Sequence, residues 1–337
     1  MYKFLRPILF QVPEETMHNA VASAGAAFSP LSPLVALPFA FEHPSLETEV
    51  FGIKFKNPVG LAPGYDKSGA FASFMAALGF GFIEIGSVTP EPQPGNDKPR
   101  LFRRDAEEAI VNRMGFNSIG MMQVAENLRG LRKRDFVLGV NLGKNKSTPN
   151  KEAARDYQAG LAALAPLADY VVINVSSPNT PGLCQLLEKE PLLNLLRAMP
   201  RTRPLVLKVS PELTDAQLND IAAVAVELKL SGLIATNTIA TPEGGLSGRP
   251  LRKRSTEVVA YLYKRLGGQI PIIGAGGIFS AQDAYEKIRA GACLVEIYSG
   301  LVYEGPGLVK RIKQGLVEML KSDGFNSIKE AVGADHR

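Results

Sequence analysis

Histidine is nearly absent from this 337-residue sequence, which contains only His18, His43 and His336. A Ser-His-Asp triad or a histidine-ligated metal is therefore excluded between positions 44 and 335. Only two cysteines occur, Cys184 and Cys293, which excludes a disulfide framework or a cysteine-rich metal site and is typical of a reducing cytosol. The formal net charge of +5 is too weak and too dispersed to indicate nucleic-acid binding.

The amino-terminal 41 residues differ from the rest of the chain. Their four charges, Lys3, Arg6, Glu14 and Glu15, cancel, and no charge occurs from position 20 to 41. Prolines and serines argue against a spanning helix, and the polar segment 11–20 argues against a secretory signal. We expect two short amphipathic helices, over about 3–10 and 14–26, followed by an irregular apolar connector. Such a domain could cap the main domain or lie as an uncharged patch on lipid.

From residue 50 onward, short apolar runs alternate with helix-length amphipathic stretches such as 68–78, 151–166, 214–229 and 281–290. The runs are Pro58–Leu61, Gly81–Ile85, Val137–Asn141, Tyr170–Val175, Leu205–Val209, Gly232–Thr236, Ile270–Gly274 and Cys293–Tyr298. Eight such units predict a (β/α)8 TIM barrel in an α/β chain, with a doubly wound open sheet as the alternative. We expect segment 49–55 to be a strand that closes the barrel bottom, 97–113 to hold an extra hairpin, and polar residues 321–337 to be a disordered tail.

The strand ends are polar or glycine-rich, and in a barrel they meet at one face. Glycine-rich ends at 274–277 and 298–300 suggest a phosphate site, although a plain tight turn explains one of them as well. Five asparagines follow strand ends and suit a planar imide ring, with ordinary turns as the alternative for each: Asn112, Asn141, Asn174, Asn179 and Asn237. Lys67, Arg113 and Lys208 add positive charge. Lys208 interrupts a buried strand and so needs an anionic partner, either a reduced flavin or a ligand carboxylate.

Segment 174–182 offers a candidate base without a histidine. Ser177, with Thr180 or a trapped water as relay, could accept a proton only where water is excluded. A Ser-Pro turn is an equally good local explanation.

Long strings of this sequence together resemble dihydroorotate dehydrogenases of the membrane-associated, quinone-using class. They include FKNPVGLAPGYDK (55–67), GFGFIEIGSVTPEPQPGNDKPRLFR (79–103), VNRMGFN (111–117), NVSSPNTPGL (174–183), PIIGAGGI (271–278) and LVEIYSG (294–300). The resemblance covers almost the whole chain. It implies an amino-terminal domain (1–41) for membrane contact and quinone access and an FMN-binding barrel (42–337).

The resemblance also implies roles for individual residues. Ser177 would be the catalytic base at ring C5, while hydride passes from C6 to the flavin N5; the soluble class has cysteine at this position. Dihydroorotate would be bound by Lys67, Asn112, Arg113, Met114, Gly115, Phe116, Asn174, Asn179, Asn237 and Thr238. FMN would be bound by Pro63, Gly64, Tyr65, Asp66, Lys67, Ser87, Asn141, Asn174, Lys208, Thr236, Gly248, Gly277, Tyr298 and Ser299. The quinone head group would lie near His18, Arg103 and Tyr298, and no metal is expected.

By this resemblance, the chain oxidises dihydroorotate to orotate in pyrimidine biosynthesis and passes electrons through FMN to a membrane quinone. It would be a peripheral protein of the cytoplasmic face of a bacterial inner membrane, touching lipid through residues 1–41, without nucleic acid or an obligate protein partner. The sequence departs from the family's usual pattern at Pro63, Tyr65 and Cys184, and its loop from Thr238 to Gly245 is short. A soluble dihydroorotate dehydrogenase with another acceptor, a flavin-free phosphate-binding isomerase or lyase, and a non-enzymatic membrane adaptor are the alternatives.

Overall fold

The computed structural model describes residues 2–131 and 134–337. The helices, numbered in chain order, are α1 (Tyr2–Leu9), α2 (Glu14–Phe28), α3 (Ser32–Ala36), α4 (Ala72–Ala76), α5 (Met121–Arg129), α6 (Ala153–Leu164), α7 (Lys189–Arg197), α8 (Asp215–Glu227), α9 (Arg252–Leu266), α10 (Ala281–Arg289), α11 (Ser299–Glu304), α12 (Leu308–Ser322) and α13 (Ile328–Ala331). The strands are β1 (Thr48–Val50), β2 (Ile53–Phe55), β3 (Val59–Leu61), β4 (Phe82–Val88), β5 (Leu101–Arg104), β6 (Ala109–Asn112), β7 (Val137–Leu142), β8 (Tyr170–Asn174), β9 (Leu205–Val209), β10 (Gly232–Ala235), β11 (Ile239–Thr241), β12 (Gly244–Gly248), β13 (Ile272–Ala275) and β14 (Leu294–Ile297).

Eight parallel strands close into a barrel in the order β3, β4, β7, β8, β9, β10, β13 and β14. Each corresponds to one of the eight apolar runs, so the predicted TIM barrel is confirmed and the open-sheet alternative is wrong. The strands are buried throughout because helices cover their outer faces and side chains fill the interior. Their carboxyl ends meet at one face of the barrel, which places the polar strand ends together.

A hairpin closes the opposite end of the barrel. Strands β1 and β2 pair around the turn at Phe51 and Gly52, so segment 49–55 is two strands instead of the single strand predicted. The Phe51 ring packs on Tyr170 with centroids 5.9 Å apart. Tyr170 in turn occupies the space over Gly139, where a Cβ would lie 2.2 Å from the tyrosine ring. Large aromatic side chains therefore plug the barrel bottom against glycine backbone.

A four-stranded antiparallel sheet, in the order β11, β12, β6 and β5, forms a roof beside the barrel mouth. The β5–β6 hairpin is the extra hairpin predicted within 97–113. Strand β12, from the segment after β10, pairs with β6 along its whole length. Two loops far apart in the chain thus form one sheet.

The amino-terminal segment is helical, as predicted, but it contains more helix than predicted. Helix α2 extends to Phe28, and a 3-10 turn over 29–31 leads into α3, so the connector is not irregular as expected. A proline near the start of each of these short helices explains the difference, because proline is tolerated in a first turn. Helix α2 packs closely on the barrel at Gly25, where an added Cβ would lie only 3.1 Å from the Phe71 side chain.

The predicted disorder of residues 321–337 is wrong. Helix α13 buries Ile328 and Ala331 completely. Arg289 of α10 forms an ion pair with Asp335 at 2.8 Å, and the His336 ring stacks on Tyr263 at 5.4 Å. These apolar and aromatic contacts fix a segment whose polar composition alone suggested a tail. The helix 68–78 is also shorter than predicted, since only Ala72–Ala76 is helical.

Candidate active site

A cleft of about 1040 Å³ opens at the carboxyl ends of the barrel strands, beside the roof sheet. Many of the residues singled out in the sequence line it, namely Pro63, Gly64, Lys67, Ser87, Asn112, Met114, Gly115, Phe116, Asn174, Ser177, Asn179, Lys208, Thr236, Asn237, Thr238, Gly248, Gly277, Tyr298 and Ser299. The cleft therefore brings together groups contributed by nearly every strand end.

Amides and hydroxyls form a connected network across the floor of the cleft. The Asn174 Nδ2 atom donates to Ser87 Oγ at 3.0 Å and to Asn141 Oδ1 at 3.1 Å. The Ser87 hydroxyl also donates to Asn141. The Asn237 Nδ2 atom donates to Ser176 Oγ at 3.0 Å. These uncharged groups are held in fixed orientations, which suits recognition of a planar ring that alternates donors and acceptors.

A second polar group lies toward the roof. The Asn179 Nδ2 atom donates to Asn112 Oδ1 at 3.0 Å, and the Lys67 Nζ atom donates to Asn117 Oδ1 at 2.7 Å. Burial, together with the smaller effect of the positive charge of Arg100, lowers the pKa of Lys67 to about 8 against the opposing effect of Glu15. Within the part of the chain that the structure describes, Lys67 is thus a cation in a water-poor site without a carboxylate in direct contact, which suits an anionic ligand.

Glycines line the side of the cleft at the end of β13. Gly276 and Gly277 have φ values of +114° and +71°, which side chains rarely adopt. A Cβ at Gly277 would lie 2.4 Å from the Cα atom of Arg252. Behind the glycines, the Ser255 hydroxyl donates to the Gly276 carbonyl at 3.2 Å and accepts from buried Lys287. The backbone therefore forms a firmly supported cradle of the kind that binds phosphate.

Ser177 lies at the edge of the cleft and is 8% exposed. Its Oγ atom accepts a hydrogen bond from the Asn179 amide at 3.4 Å, a turn contact consistent with the local Ser-Pro interpretation. The Cys184 thiol contacts the Ser177 carbonyl at 3.7 Å. Ser177 is consequently part of a structured turn that lines the cleft.

Lys208 finds its anionic partner within the chain. Its Nζ atom lies 3.4 Å from Glu296 Oε2, and both side chains line the cleft. The sequence reasoning offered only ligand groups as partners. The sequence does contain a sign of a partner within the chain, because Glu84 and Glu296 each interrupt an apolar strand in the same manner as Lys208.

A second cavity, of about 1090 Å³, lies between the amino-terminal helices and the barrel. Its lining is mostly apolar and includes Leu9, Phe10, Met17, Val21, Phe74, Leu78, Leu101 and Val302, together with His18, Arg103, Tyr65 and Tyr298. Tyr298 lines both this cavity and the cleft. The two spaces therefore share a wall.

An aromatic series crosses this shared wall. The Tyr65 ring meets His18 edge-on at 5.6 Å and Tyr298 at 5.4 Å. Burial lowers the pKa of His18 to about 4, and the nearby charge of Lys67 acts in the same direction. His18 is therefore a neutral imidazole at neutral pH.

Arginines hold helix α2 against the barrel. Arg103 donates to the Phe10 carbonyl at 2.7 Å and stacks over the Phe10 ring at 4.5 Å. Arg100 is paired with Glu15 at 2.9 Å and donates to the Asn96 carbonyl at 2.9 Å. The Asn96 side chain then donates to the Asn179 carbonyl at 3.1 Å. The helical segment is thus connected to the loop that carries Ser177.

Four residues predicted for the cleft lie elsewhere. Tyr65 faces the second cavity, and Asn141 lies beneath the cleft, where its Nδ2 atom donates to Glu84. The Asp66 carboxylate caps its own loop, accepting from the amides of Gly69 and Phe71. Arg113 is exposed and donates to the Pro99 carbonyl. Asn117, which contacts Lys67, was not predicted; it is the next residue after the 112–116 segment.

A closed parallel barrel whose strand ends meet in one cleft of glycines, fixed amides and lysines has the architecture of a TIM-barrel enzyme. The family model for dihydroorotate dehydrogenase matches residues 45–320, and this chain belongs to that family. A curated dihydroorotate dehydrogenase (quinone) from Roseiflexus sp. strain RS-1 is 47% identical, covering 99% of this chain and 98% of the relative. One from Rhodospirillum rubrum is 54% identical over 88% of this chain and 86% of the relative. A crystal structure of the Eimeria tenella enzyme in complex with ferulenol superposes with a TM-score of 0.89 at 39% identity, covering 96% of each chain.

Proposed function

We propose that this protein oxidises dihydroorotate to orotate, with FMN as cofactor and a quinone as electron acceptor, in pyrimidine biosynthesis. The dihydroorotate dehydrogenase (quinone) relatives match nearly its whole length, including the amino-terminal helices. The observation that carries the proposal is the pairing of two cavities across one aromatic wall. One cavity is polar and suits a charged ring, and the other is apolar and suits a quinone.

The cleft fits FMN by its own chemistry. The Gly276–Gly277 cradle, which leaves no space for side chains, would hold the phosphate. The Asn174 amide and the Ser87 hydroxyl, both fixed from beneath by Asn141, would hold the ring, and Lys208 would place positive charge beside it. FMN would accept the hydride and pass electrons onward when bound.

Dihydroorotate would be held between the roof and the amide network. Half-buried Lys67 would pair with the substrate carboxylate, and Asn112, Asn179 and Asn237 would contact its ring polar groups. Ser177 Oγ would take the proton from ring C5, because its position in a nearly buried turn limits access of water. These roles rest on the family resemblance together with the position of each side chain on the cleft.

The apolar cavity would admit the quinone. Neutral His18 and the hydroxyls of Tyr65 and Tyr298 are polar groups on its wall that could contact a quinone head group. Apolar side chains elsewhere in the cavity suit the tail.

The outer face of the amino-terminal helices suits a membrane surface. It exposes Phe4 (86%), Leu5, Ile8, Phe28, Leu31, Leu34 (65%) and Leu37 (71%). With no net charge in residues 1–41, we propose that this surface binds lipid by apolar burial, as in a peripheral protein of the cytoplasmic face of a bacterial inner membrane. In the described residues, no helix is both long and apolar enough to cross a membrane.

Flavin extraction followed by a dihydroorotate–quinone assay tests the proposal. We expect a yellow protein that releases FMN and reduces a soluble quinone analogue only when dihydroorotate is present. A colourless protein that binds no added FMN would contradict the proposal. A yellow protein that is reduced by dihydroorotate but reoxidised only by a soluble acceptor would contradict the assignment of the quinone.

A further inference from the structure

Three charged side chains from three barrel strands meet in the interior below the cleft. They are Glu84 of β4, Lys208 of β9 and Glu296 of β14, with exposures of 0%, 5% and 1%. The Lys208 Nζ atom lies 3.4 Å from Glu296 Oε2. Two carboxyl groups are therefore buried with one ammonium group, a combination that is costly if both acids are ionised.

The hydrogen bonds around Glu84 do not supply a second cation. Its Oε1 atom accepts from Asn141 Nδ2 at 2.8 Å, and its Oε2 atom accepts from the Tyr170 hydroxyl at 3.1 Å. Strands β3, β7, β10 and β13 carry no titratable side chain, so Tyr170 is the other ionisable group that the barrel strands direct here. Tyrosine is neutral at ordinary pH and cannot balance a carboxylate.

One carboxylate oxygen of Glu296 lacks a hydrogen-bond partner among the described residues. Among residues 2–131 and 134–337, its Oε1 atom is one of two buried side-chain atoms without a hydrogen-bond partner. A buried acceptor of this kind is expensive to leave unpaired. A proton on Glu84 would satisfy it, since β14 and β4 both pair with β3 and so bring the two buried acids into the same part of the barrel interior. Burial raises the pKa of Glu84 well above its usual range, and the charge of Glu296 raises it further.

We propose that Glu84 and Glu296 share a single proton, so that the pair carries one negative charge matched to Lys208. Glu84 is then a positioning residue that acts through Glu296 and Lys208. Glu296 touches the cleft and sets how much of the lysine's positive charge reaches the bound ring. The shared proton is inferred from this chain's own residues, whereas its effect on a bound ring depends on the proposed function.

Infrared spectroscopy of the holoprotein tests the shared proton. We expect the carbonyl stretch of a protonated carboxyl group to persist from about pH 6 to about pH 9, where exposed glutamates are ionised. Carbon-13 labelling of glutamate carboxyl groups should shift this band, which distinguishes it from flavin carbonyls and from buried Asp66. The isosteric variants Glu84→Gln and Glu296→Gln should each lose the band, because either leaves a single acid with no second carboxylate that forces it to keep a proton. Tyr170→Phe, the matched control, should move the band without removing it.

If the spectrum of the wild-type protein shows no labelled carboxyl band, both acids are ionised and the proposal is wrong. Survival of the band in Glu84→Gln or in Glu296→Gln would also overturn it, because the proton would belong to the remaining acid alone. If one variant fails to fold, the other and the wild-type pH series still decide.

The midpoint potential of the bound flavin then tests the effect on the ring. In Glu296→Gln the negative charge moves to Glu84, away from Lys208 and the cleft, so the potential should become more positive. In Glu84→Gln the charge stays on Glu296, and the potential should change little. Equal shifts in both variants would contradict the role assigned to Glu296 while leaving the shared proton intact. Failure to bind flavin at all would count against the proposed function instead.

Discussion

The cleft and the second cavity differ in how they are built. The cleft is polar, and its side chains are fixed by hydrogen bonds to one another, such as those joining Asn174, Asn141 and Ser87. The cavity is mostly apolar and lies between the barrel and the amino-terminal helices, which Arg100 and Arg103 bind through Glu15 and the Phe10 carbonyl. One layer of side chains therefore separates the cleft, which suits a charged substrate, from the second cavity, which suits an apolar acceptor.

Because of this difference, the two half-reactions should respond to substitutions in different regions. Changes in the cleft should affect a charged substrate and leave the apolar acceptor alone. Changes in the cavity should do the reverse. The two half-reactions can be measured separately, as flavin reduction by dihydroorotate and flavin reoxidation by quinone.

The largest effect should come from the candidate base. Ser177→Ala should slow flavin reduction by dihydroorotate by about 10²–10⁴-fold, the usual contribution of a positioned general base. Reoxidation by quinone should be unchanged in stopped-flow measurements. Ser176→Ala removes a neighbouring hydroxyl that binds Asn237 instead of facing the cleft, and should cost no more than about tenfold. Comparable losses in both half-reactions of Ser177→Ala would indicate disrupted folding.

A smaller effect is expected at Lys67. Lys67→Met should weaken the binding of orotate, which carries the same carboxylate as dihydroorotate, by about tenfold to a hundredfold, the usual range for a lost hydrogen bond to a charged group. Titration of the oxidised protein with orotate, followed by the flavin spectrum, measures the change. Lys146→Met is the control, because that lysine is exposed and bonds to Asn96 outside the cleft. Equal losses in both variants would remove Lys67 from the proposed carboxylate site.

The pH profile of the reaction tests whether the amino-terminal helices influence the cleft. Since the pKa of Lys67 is about 8, kcat/KM for dihydroorotate should fall above about pH 8 as the lysine loses its charge. Glu15 of helix α2 raises this pKa, so Glu15→Gln should move the break to lower pH. A break that stays in place in Glu15→Gln would show that the helical segment does not influence the cleft.

Filling the cavity should affect only the acceptor. Val21→Trp should raise the KM for quinone by about tenfold while flavin reduction keeps its rate, since the bulky ring occupies apolar space that does not reach the cleft. Val226→Trp, on the exposed face of helix α8, should leave both half-reactions unchanged. A slower reduction step in Val21→Trp alone would show that the wall transmits changes in packing. Deletion of residues 1–41 is the complementary test, and unchanged quinone turnover in that variant would contradict the cavity assignment.

The smallest effect concerns His18. Folding lowers its pKa to about 4, so the unfolded chain binds this proton more readily between about pH 6.5 and pH 4. The folded protein should therefore lose stability as the pH falls through this window, by about 1 kcal/mol after allowance for the partial exposure of the ring. Urea unfolding of the wild type and His18→Leu across this range measures the loss, and an equal pH dependence in both proteins would contradict it.

The barrel could be predicted from the sequence because each strand is a short buried run with a polar end. The positions of Asn174, Asn237 and Lys208 follow from that pattern. Tyr65 could not be placed, because its orientation depends on helix α2, which packs through contacts that leave no periodic signal. Glu84 and Glu296 were missed for another reason. Their partners lie on strands far away in the chain, so that only barrel closure shows that two acids face one lysine.

Some local structure was also hidden by composition. Residues 321–337 are polar, yet two buried apolar side chains and a histidine ring are enough to dock them on the barrel helices. The family resemblance implied that Asp66 contacts FMN, but its carboxylate accepts hydrogen bonds from the amides of Gly69 and Phe71 and does not line the cleft. In both cases a few specific contacts, which cannot be read from the composition of the segment, determine its structure.

The roof sheet has a consequence for the order in which the protein can form during synthesis. Its central pair joins β6 to β12, and Asn112 reaches the Gly245 carbonyl across 133 positions of chain. The β5–β6 hairpin must therefore wait for most of the barrel to be made before it gains its main partner. Pairings of such long range are slow to form. The barrel's own closing pair, β14 with β3, joins residues still farther apart, so the ligand space is expected to be complete only after nearly the whole chain has been made.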